Sequence, residues 1–423
     1  MILIKGGRLI SPRNGLDGIY DLQIEGGVIK AIGSNLQAEG CSEVIDASGK
    51  LVFPGFIDMH VHLRDPGQTY KEDILSGCEA AAAGGVTSVV CMPNTRPAVD
   101  NAEVLSYIRE KAEKAKARVY PAACITRGME GETLTDMSSL RSAGAVAVSD
   151  DGKPVANARI MLEGMQRAAR LGLLTISHCE DLNLINGGII HKGDVSRTLG
   201  VPGMDRASED SITAREICLA DSAGVPIHIA HVSTKGAVEL IRDAKRRGIK
   251  VTCETAPHYF ILDHEKLLAR DADYRMNPPL REQSDIRAVL GGIADGTIDC
   301  IITDHAPHSK EEKADFLRAP NGVVGLETSF AACYTYLCKA GVISLRRLVE
   351  LMCVNPARLL KLPGGALEEG GPADIAIADP DRVWTVEPEK LHSRSKNTVF
   401  KGMTFTGKVV RTICRGVTVY AEE

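Results

Sequence analysis

The chain has 423 residues, of which 44% are apolar and 25% are charged, and its mean hydropathy is −0.04. This composition is typical of a globular protein with a large core, and it excludes a disordered or collagen-like chain. The 50 basic and 55 acidic residues leave a formal charge of −5 without a basic block that could follow a phosphate backbone, so we expect no nucleic acid partner.

Membrane association and disulfide bonding are not expected either. No stretch approaches the roughly 20 apolar residues of a membrane-spanning helix, and the N-terminal segment breaks at Gly6-Gly7 before it can form a signal-peptide core. We therefore expect a cytoplasmic protein. The twelve cysteines are scattered singly without a CxxC pair, which indicates small buried thiols and not a disulfide framework.

The first 52 residues predict a small β domain. The segments ILIKGGRLI, DLQIEGGVIKAIG and SEVIDASGKLVF are short and apolar, and glycines interrupt or separate them. This pattern is typical of strands joined by tight turns.

From residue 53 the pattern changes to short apolar strands that alternate with amphipathic helices, which is typical of parallel βα units. Helical spacing of apolar residues is clear in AEVLSYIREKAEKAKA, ARIMLEGMQRAARLG and GAVELIRDAKRRG. Eight units of this kind predict an α/β fold, a (β/α)₈ TIM barrel over residues 53–363. The candidate strands are residues 55–62, 87–93, 118–125, 145–151, 173–180, 226–232, 250–260 and 298–306.

The chain returns to strands after the barrel. Two more helices, in GLETSFAACYTYLCKAG and LRRLVELMCVNPARLL, precede the strand-like segments ADIAIADPD and KVVRTICRGVTVYA. We expect residues 364–423 to pair with residues 1–52 in one composite β-sandwich domain. Residues 181–211 and 307–324 are too long and polar for plain connections, which favours binding loops or lids.

The polar residues at the predicted strand ends favour a metal site, because a barrel enzyme carries its site at the C-terminal ends of its strands. His60 and His62 are separated by one residue on the first strand and therefore point the same way. Imidazoles and carboxylates together suit Zn²⁺, and a carboxylate could bridge two such ions. The other candidate ligands end the fourth, fifth, sixth and eighth strands and are Asp150, Asp151, His178, His231 and Asp304.

The remaining histidines are expected to be structural or solvated. His228 lies three positions before His231, which predicts that it points to the opposite face of the strand. His258 is expected to be a hydrogen-bonded structural residue. Solvated positions in loops or on surface helices are expected for His191, His264 and His392.

Two motifs resemble those of a known family. The segment PGFIDMHVHLRDPG, residues 54–67, resembles the first-strand motif of the amidohydrolase superfamily in the form found in dihydroorotases. The segment TDHAPH, residues 303–308, with Lys313 beyond it, resembles the dihydroorotase eighth-strand motif. The resemblance covers essentially the whole chain. Further segments that match in order are MPNT (92–95), SDDG (149–152), HCE (178–180), HVS (231–233) and NPPLR (277–281).

The resemblance implies one or two zinc ions, with two expected. His60 and His62 would hold the first ion, and His178 and His231 the second. Asp151 would bridge them, and Asp304 would ligate the first ion and act as the catalytic acid and base. In many relatives, hydantoinases and allantoinases among them, a carbamylated lysine forms the bridge. The sequence Val-Ser-Asp-Asp at 148–151 instead matches type I bacterial dihydroorotases, which use an aspartate. Lys153 lies two positions beyond Asp151 and is the alternative bridge if the fourth strand is longer than predicted.

Arg64 follows His62 by two residues, so it also faces the site, and its planar guanidinium suits a carboxylate. The resemblance implies a dihydroorotate pocket in which the main chain at Asn321 and Gly322 contacts the ring. Family members commonly have Pro-Phe-Gly where this chain has Pro-Asn-Gly at 320–322. Cys179, next to His178, is expected to be an inert thiol and not a competing zinc ligand. The implied substrate contacts are His62, Arg64, Asn94, Asn277, His308, Asn321 and Gly322.

The resemblance therefore implies a zinc-dependent dihydroorotase of pyrimidine synthesis, which cyclises N-carbamoyl-L-aspartate reversibly to (S)-dihydroorotate. A homodimer and an association with aspartate transcarbamoylase are the implied partners. One alternative is another cyclic amidohydrolase, a hydantoinase, dihydropyrimidinase or allantoinase, but Asp151 and Arg64 speak against it. The other alternative is a non-catalytic partner of aspartate transcarbamoylase, for which missing ligands would be expected.

Overall fold

Eight parallel strands form a barrel in the middle of the chain, in a computed structural model that describes residues 1–422. The strands of all described residues, within the barrel and outside it, are β1 (Ile2–Ser11), β2 (Leu16–Glu25), β3 (Val28–Gly33), β4 (Glu43–Asp46), β5 (Leu51–Pro54), β6 (Phe56–Val61), β7 (Val86–Cys91), β8 (Arg118–Ala123), β9 (Ala147–Val148), β10 (Leu174–Ser177), β11 (Ile190–His191), β12 (Gly203–Met204), β13 (Ile227–Ile229), β14 (Val251–Thr255), β15 (Cys300–Ile301), β16 (Ile375–Thr385), β17 (Thr404–Cys414) and β18 (Val417–Ala421).

Helices follow most of the barrel strands. They are α1 (Ile74–Ala83), α2 (Ala102–Ala112), α3 (Met137–Ala143), α4 (Ala158–Arg170), α5 (Leu182–Ile185), α6 (Asp194–Leu199), α7 (Ala207–Ala223), α8 (Lys235–Arg246), α9 (Pro257–Ile261), α10 (Gln283–Asp295), α11 (Ser329–Cys333), α12 (Leu345–Val349) and α13 (Asn355–Leu360). Within residues 1–422, no helix has the length and apolar character needed to cross a bilayer.

The barrel strands are neighbours in the order β6, β7, β8, β9, β10, β13, β14 and β15, and all pair in parallel. The barrel closes where Val61 pairs with His305 and the His62 amide donates to the His305 carbonyl at 2.7 Å. The predicted (β/α)₈ fold is confirmed. The seventh predicted strand was too long, because Pro257 starts a helix, a position that suits its fixed φ and missing N–H.

Both ends of the chain join one further sheet, in the order β18, β17, β16, β5, β1, β2, β3, with β4 beside the first half of β1. Strand β5 connects the two ends, since it pairs in parallel with β1 and antiparallel with β16. Buried side chains from both ends, such as Ile4, Leu22, Ile375 and Ile413, form its core. The two ends of the chain therefore share one sheet, as expected, while the bounds 1–52 and 364–423 of the β-sandwich domain stay a prediction.

The two long polar segments meet above the barrel. Residues 181–211 contain α5, α6 and the short parallel pair of β11 and β12. Buried side chains of this segment, Ile190 and Val195, pack in one apolar cluster with Leu267, Phe316 and Ala319. Since Phe316 and Ala319 belong to the 307–324 segment, the two segments support each other at the barrel mouth.

Candidate metal centre and substrate pocket

A buried carboxylate, that of Asp151, lies at the centre of the predicted ligands. It follows the end of β9 by three residues, and its Oδ1 is 3.3 Å from His60 Nε2, 3.2 Å from His178 Nδ1 and 3.6 Å from His231 Nε2. Its Oδ2 is 3.4 Å from His62 Nε2. Burial alone would raise the pKa of Asp151, but the surrounding imidazoles hold it well below its usual value.

These ligand atoms fit metal ions. They form two groups that share Asp151, one with His60 and His62 and one with His178 and His231. In a tetrahedral zinc site with bonds of about 2.0–2.1 Å, neighbouring ligand atoms lie about 3.3 Å apart, close to the 3.2–3.6 Å separations from Asp151. Within the described part of the chain, His60 Nε2 and Asp151 Oδ1 are buried and have no hydrogen-bond partner. Because buried polar atoms are normally satisfied, both atoms favour a cation between them.

Asp304 faces the first of these groups. The residue lies three positions beyond the end of β15, and its Oδ1 is 3.1 Å from His62 Nε2 and 3.8 Å from His60 Nε2. Although burial opposes ionisation, the hydrogen bond from His62 and the nearby His60 lower the pKa of Asp304 to about 2. The carboxylate is thus ionised at neutral pH, as a proton acceptor requires.

Glu254, in β14, orients His60 through the ring nitrogen that does not face Asp151. Its Oε1 lies 2.7 Å from His60 Nδ1, and its Oε2 lies 3.1 Å from His228 Nε2. The prediction that His228 points to the opposite face from His231 is therefore wrong. Strand alternation ends at Ile229, and His231 has a φ of 32°, so the three-residue offset no longer separates the two faces.

We expect Glu254→Gln to weaken metal binding about 10- to 100-fold, which is the usual cost of losing an outer partner of a ligating histidine. The amide removes the negative charge that keeps His60 Nδ1 protonated and Nε2 free toward Asp151. Metal titration of the purified variant measures this effect. Affinity equal to wild type would contradict the assigned support of His60.

Polar side chains also contact the outer ring nitrogens of two more candidate ligands, His178 and His62. His178 Nε2 lies 3.1 Å from Glu180, which also accepts from the Asn277 amide at 2.9 Å. His62 Nδ1 lies 2.9 Å from Asn94 Oδ1. Glu180 and Glu254 were not predicted as site residues. The i, i+2 spacing of His178 and Glu180, and an acidic residue inside the apolar β14, are the signals that could have found them.

Two other candidate ligands near Asp151 do not face the histidine cluster. Asp150 turns away, and its carboxylate accepts hydrogen bonds from the Ile125 and Thr126 amides. Lys153 is exposed to solvent, so Asp151 and not this lysine occupies the central position. Burial raises the pKa of Cys179, which keeps the thiol protonated and agrees with its expected inertness.

One cavity of about 190 Å³ opens above the ligands. This volume is below the roughly 300 Å³ of the smallest pockets for drug-sized ligands, so it suits a small metabolite. Asp151, His178, His231 and Asp304 form its floor. All of the predicted substrate contacts line it, namely His62, Arg64, Asn94, Asn277, His308, Asn321 and Gly322.

Arg64 provides the positive end of this cavity. Its Nε donates to the Pro307 carbonyl at 3.1 Å, and its Nη2 lies 3.2 Å from His308 Nε2. Burial lowers the pKa of Arg64 to about 10, which still leaves it charged at neutral pH. No carboxylate among residues 1–422 pairs with this buried guanidinium, which makes it a strong site for an anionic ligand.

The backbone is strained at three of these positions. Arg64, His231 and Asp304 have φ values of 59°, 32° and 48°, in the left-handed region that non-glycine residues rarely adopt. Each lies two or three residues beyond the end of its barrel strand. Strain of this kind is concentrated at functional sites, where it directs side chains that a regular strand would point elsewhere.

The predicted solvation of His191 and His264 is wrong, because the 181–211 segment folds back and buries both. Burial and nearby Arg281 lower the pKa of His191 to about 3. His191 and His264 approach Glu282 as a third group of ligand type. However, guanidinium nitrogens lie 3.2 and 3.3 Å from the two ring nitrogens of His191, so this position already holds positive charge. His258 is buried against Tyr259, whereas His392 is exposed and pairs with Glu327.

The comparison with protein families gives two matches. A family described as Dihydro-orotase-like matches residues 49–237, and one described as Amidohydrolase family matches residues 221–420. Together they span all eight barrel strands.

Similar proteins are found along the full length. A protein named Dihydroorotase from Trichlorobacter lovleyi is 51% identical over 422 residues, 99% of each chain. One of the same name from Geobacter metallireducens is 50% identical over 421 residues, again 99% of each chain. Among solved structures, an L-hydantoinase (dihydropyrimidinase) from Arthrobacter aurescens is 27% identical with a TM-score of 0.89, covering 99% of this chain and 96% of its own.

Proposed function

The chain belongs to the dihydroorotase family of amidohydrolases and is a cyclic amide hydrolase, and we propose that it interconverts (S)-dihydroorotate and N-carbamoyl-L-aspartate with zinc in pyrimidine synthesis. One observation carries this proposal. The cavity combines a histidine and aspartate cluster at its floor with a buried arginine at its side. A ligand with a cyclic amide and an anionic group, as dihydroorotate has, can place its amide near the cluster and its anionic group at the arginine.

Two zinc ions are the proposed cofactors. His60, His62 and Asp304 would hold one, and His178 and His231 the other, with Asp151 shared between them. When bound, zinc supplies Lewis acidity to a carbonyl oxygen and makes water more acidic. The mixed nitrogen and oxygen donor set is the one that zinc accepts readily.

Asp304 is the proposed catalytic residue. Its ionised carboxylate accepts a proton from the attacking water and delivers it to the ring nitrogen as the amide bond breaks. In the cyclisation direction the same carboxylate takes the proton from the carbamoyl nitrogen and gives it to the departing hydroxide, which leaves as water. His62 Nε2 lies 3.1 Å from the carboxylate, so an ion held by both residues would keep Asp304 in place at the cavity floor during both transfers.

The side of the cavity is proposed to bind the substrate carboxylate through Arg64, Asn94 and His308. The ring would lie against Asn277 and the main chain of Asn321 and Gly322. Glycine is required at 322, because its φ is 147° and an added Cβ would lie 2.5 Å from the Ala306 carbonyl oxygen. Contact through the main chain there would tolerate Asn321 in place of the family's common aromatic residue.

We expect Arg64→Lys to raise KM for dihydroorotate about tenfold or more, with a smaller change in kcat. The lysine keeps the charge but cannot make the two-pronged contact of a guanidinium, and a hydrogen bond to a charged group is worth about 1.5–3 kcal/mol. Steady-state kinetics in both directions measure the effect. A KM equal to wild type would show that Arg64 does not bind the carboxylate.

The substrate is tested by assaying the zinc-reconstituted protein with N-carbamoyl-L-aspartate, dihydroorotate, hydantoin and allantoin. We expect turnover of the first two and none of the last two above background. Turnover of hydantoin or allantoin alone would overturn the proposed substrate. Metal analysis of the same sample reports the identity and number of bound ions, and a chain that binds no zinc would overturn the proposed cofactor.

A further inference from the structure

The main chain on both sides of Asp304 is held by hydrogen bonds. On the N-terminal side, the amide and the hydroxyl of Thr303 both donate to Asp58 Oδ2, at 3.1 and 2.6 Å. On the C-terminal side, the His305 amide donates to the Thr303 hydroxyl oxygen at 3.1 Å, and the His305 carbonyl accepts from the His62 amide at 2.7 Å. Asp304 therefore lies between two buried residues whose main chains are fixed.

The Thr303 hydroxyl takes part in two of these bonds, once as an acceptor and once as a donor. A main-chain amide can only donate, so the hydroxyl oxygen accepts from His305 with a lone pair. Its single hydrogen then goes to Asp58 Oδ2, at a distance typical of an O–H···O bond. A side chain without a hydroxyl at position 303 would break both bonds at once.

The same carboxylate also holds the strand that carries the first pair of candidate ligands. Asp58 lies in β6, and its Oδ1 accepts from the His60 amide at 3.1 Å. Thr303 lies two residues beyond the end of β15. Because β6 and β15 are the first and last strands of the barrel, Asp58 joins the main chain of His60 to that of Thr303 at the seam where the barrel closes. These bonds set the position of Asp304 relative to His60.

Asp304 needs this support because its own conformation is strained. Its φ of 48° lies in the left-handed region, and strained residues of this kind persist only where the surrounding structure holds them. In this conformation its Oδ1 lies 3.1 Å from His62 Nε2 and 3.8 Å from His60 Nε2. If the neighbouring peptide groups were free to rotate, φ could relax and the carboxylate would turn away from both imidazoles.

We propose that Thr303 is a positioning residue whose hydroxyl, bonded to Asp58 and His305, holds Asp304 in the conformation that directs its carboxylate at His60 and His62. The inference rests on the proposed function for the catalytic role of Asp304. The hold on the main chain depends only on the contacts of Asp58, Thr303 and His305. Thr303 acts through Asp304 and does not line the cavity.

The test compares Thr303→Val, which keeps the branched shape but removes the hydroxyl, with Thr303→Ser, which keeps the hydroxyl. Thr303→Ala removes the same hydroxyl with less bulk and takes the place of the valine variant if that variant does not fold. Thr412→Val is the matched control, because Thr412 in β17 is also buried and donates its hydroxyl to the Ala82 carbonyl at 2.6 Å.

Crystal structures of the zinc-loaded proteins report where the Asp304 carboxylate lies. We expect the wild-type position in Thr303→Ser and Thr412→Val. In Thr303→Val we expect the carboxylate to be displaced or divided between two positions, because the His305 amide and Asp58 have both lost the hydroxyl. An Asp304 carboxylate that stays in place without the hydroxyl would overturn the proposal.

Kinetics give the second measurement. In Thr303→Val we expect kcat for dihydroorotate to fall about 10- to 100-fold, since a misplacement of about 1 Å can cost about 100-fold. KM should stay within about twofold, because the side chains that line the cavity are unchanged. Thr303→Ser should recover most of kcat, and Thr412→Val should stay within about twofold of wild type. Equal losses of kcat in the valine and serine variants would contradict the role of the hydroxyl.

The two measurements also separate this inference from the proposed function. If wild type did not turn over dihydroorotate, the proposed function would fail. The crystal structures would still decide whether the Thr303 hydroxyl holds Asp304.

Discussion

Replacement of Asp304 by alanine should lower kcat at least about a thousandfold, within the range that loss of a general acid and base produces. The variant loses the group that carries the proton between water and ring nitrogen in both directions. It also loses the carboxylate that lies 3.1 Å from His62 Nε2. Single-turnover and steady-state assays in the hydrolytic and cyclising directions measure the effect.

Asp304→Asn separates the two functions of this side chain. The amide keeps an oxygen near His62 and His60 but cannot accept a proton at neutral pH, so metal content should be retained while turnover is lost. Thermal unfolding of both variants should resemble wild type, because the change is confined to the cavity floor. Activity within tenfold of wild type in the asparagine variant would contradict the assigned proton transfer.

Asp151→Asn should weaken metal binding at least about a hundredfold and reduce turnover in proportion. Loss of an outer partner of a ligand already costs about 10- to 100-fold, and Asp151 belongs to both groups of candidate ligands. Neutralising it leaves imidazoles on both sides without the shared negative charge. Metal analysis after dialysis and titration with zinc measure the change.

Asp150→Asn is the matched control. Asp150 is the neighbouring buried acid, but its carboxylate binds the Ile125 and Thr126 amides and does not face the imidazoles. This variant should keep its metal and lose about 1–3 kcal/mol of stability, the cost of disturbing a buried hydrogen-bonded group. Retention of metal by Asp151→Asn together with its loss in Asp150→Asn would reverse the assignment of the two residues.

The part of the site that lies at strand ends could be predicted from the sequence. Parallel strands in a barrel deliver their C-terminal ends to one rim, so residues as distant as His60 and Asp304 are brought together by topology alone. The two-residue periodicity of a strand predicted that His60 and His62 point the same way. Arg64 reaches the cavity from three residues beyond the end of β6, at a φ of 59° that this rule does not describe. The fold itself followed from the alternation of apolar strands and amphipathic helices.

The side-chain positions of residues that lie past the strand ends or in loops could not be predicted in this way. The alternation rule misplaced His228, because His231 lies past the end of β13 in a left-handed conformation. His191 was misjudged because the burial of a loop residue depends on how the loop folds back. Lys71 contacts His308 across the barrel mouth, and no local spacing connects residues so far apart in the chain.

The composite sheet has a consequence for biosynthesis. Strand β5 emerges early from the ribosome, but its partner β16 pairs Ile375 with Pro54 and is translated only after the whole barrel. Until then one edge of β5 stays open, beside the apolar Val52 and Phe53, which are fully buried in the finished protein. Open strand edges are sites of aggregation. The open edge of β5 is therefore covered only after β16 has been translated. Ribosomes stalled between the barrel and β16 would carry a chain in which this aggregation-prone edge is still unpaired.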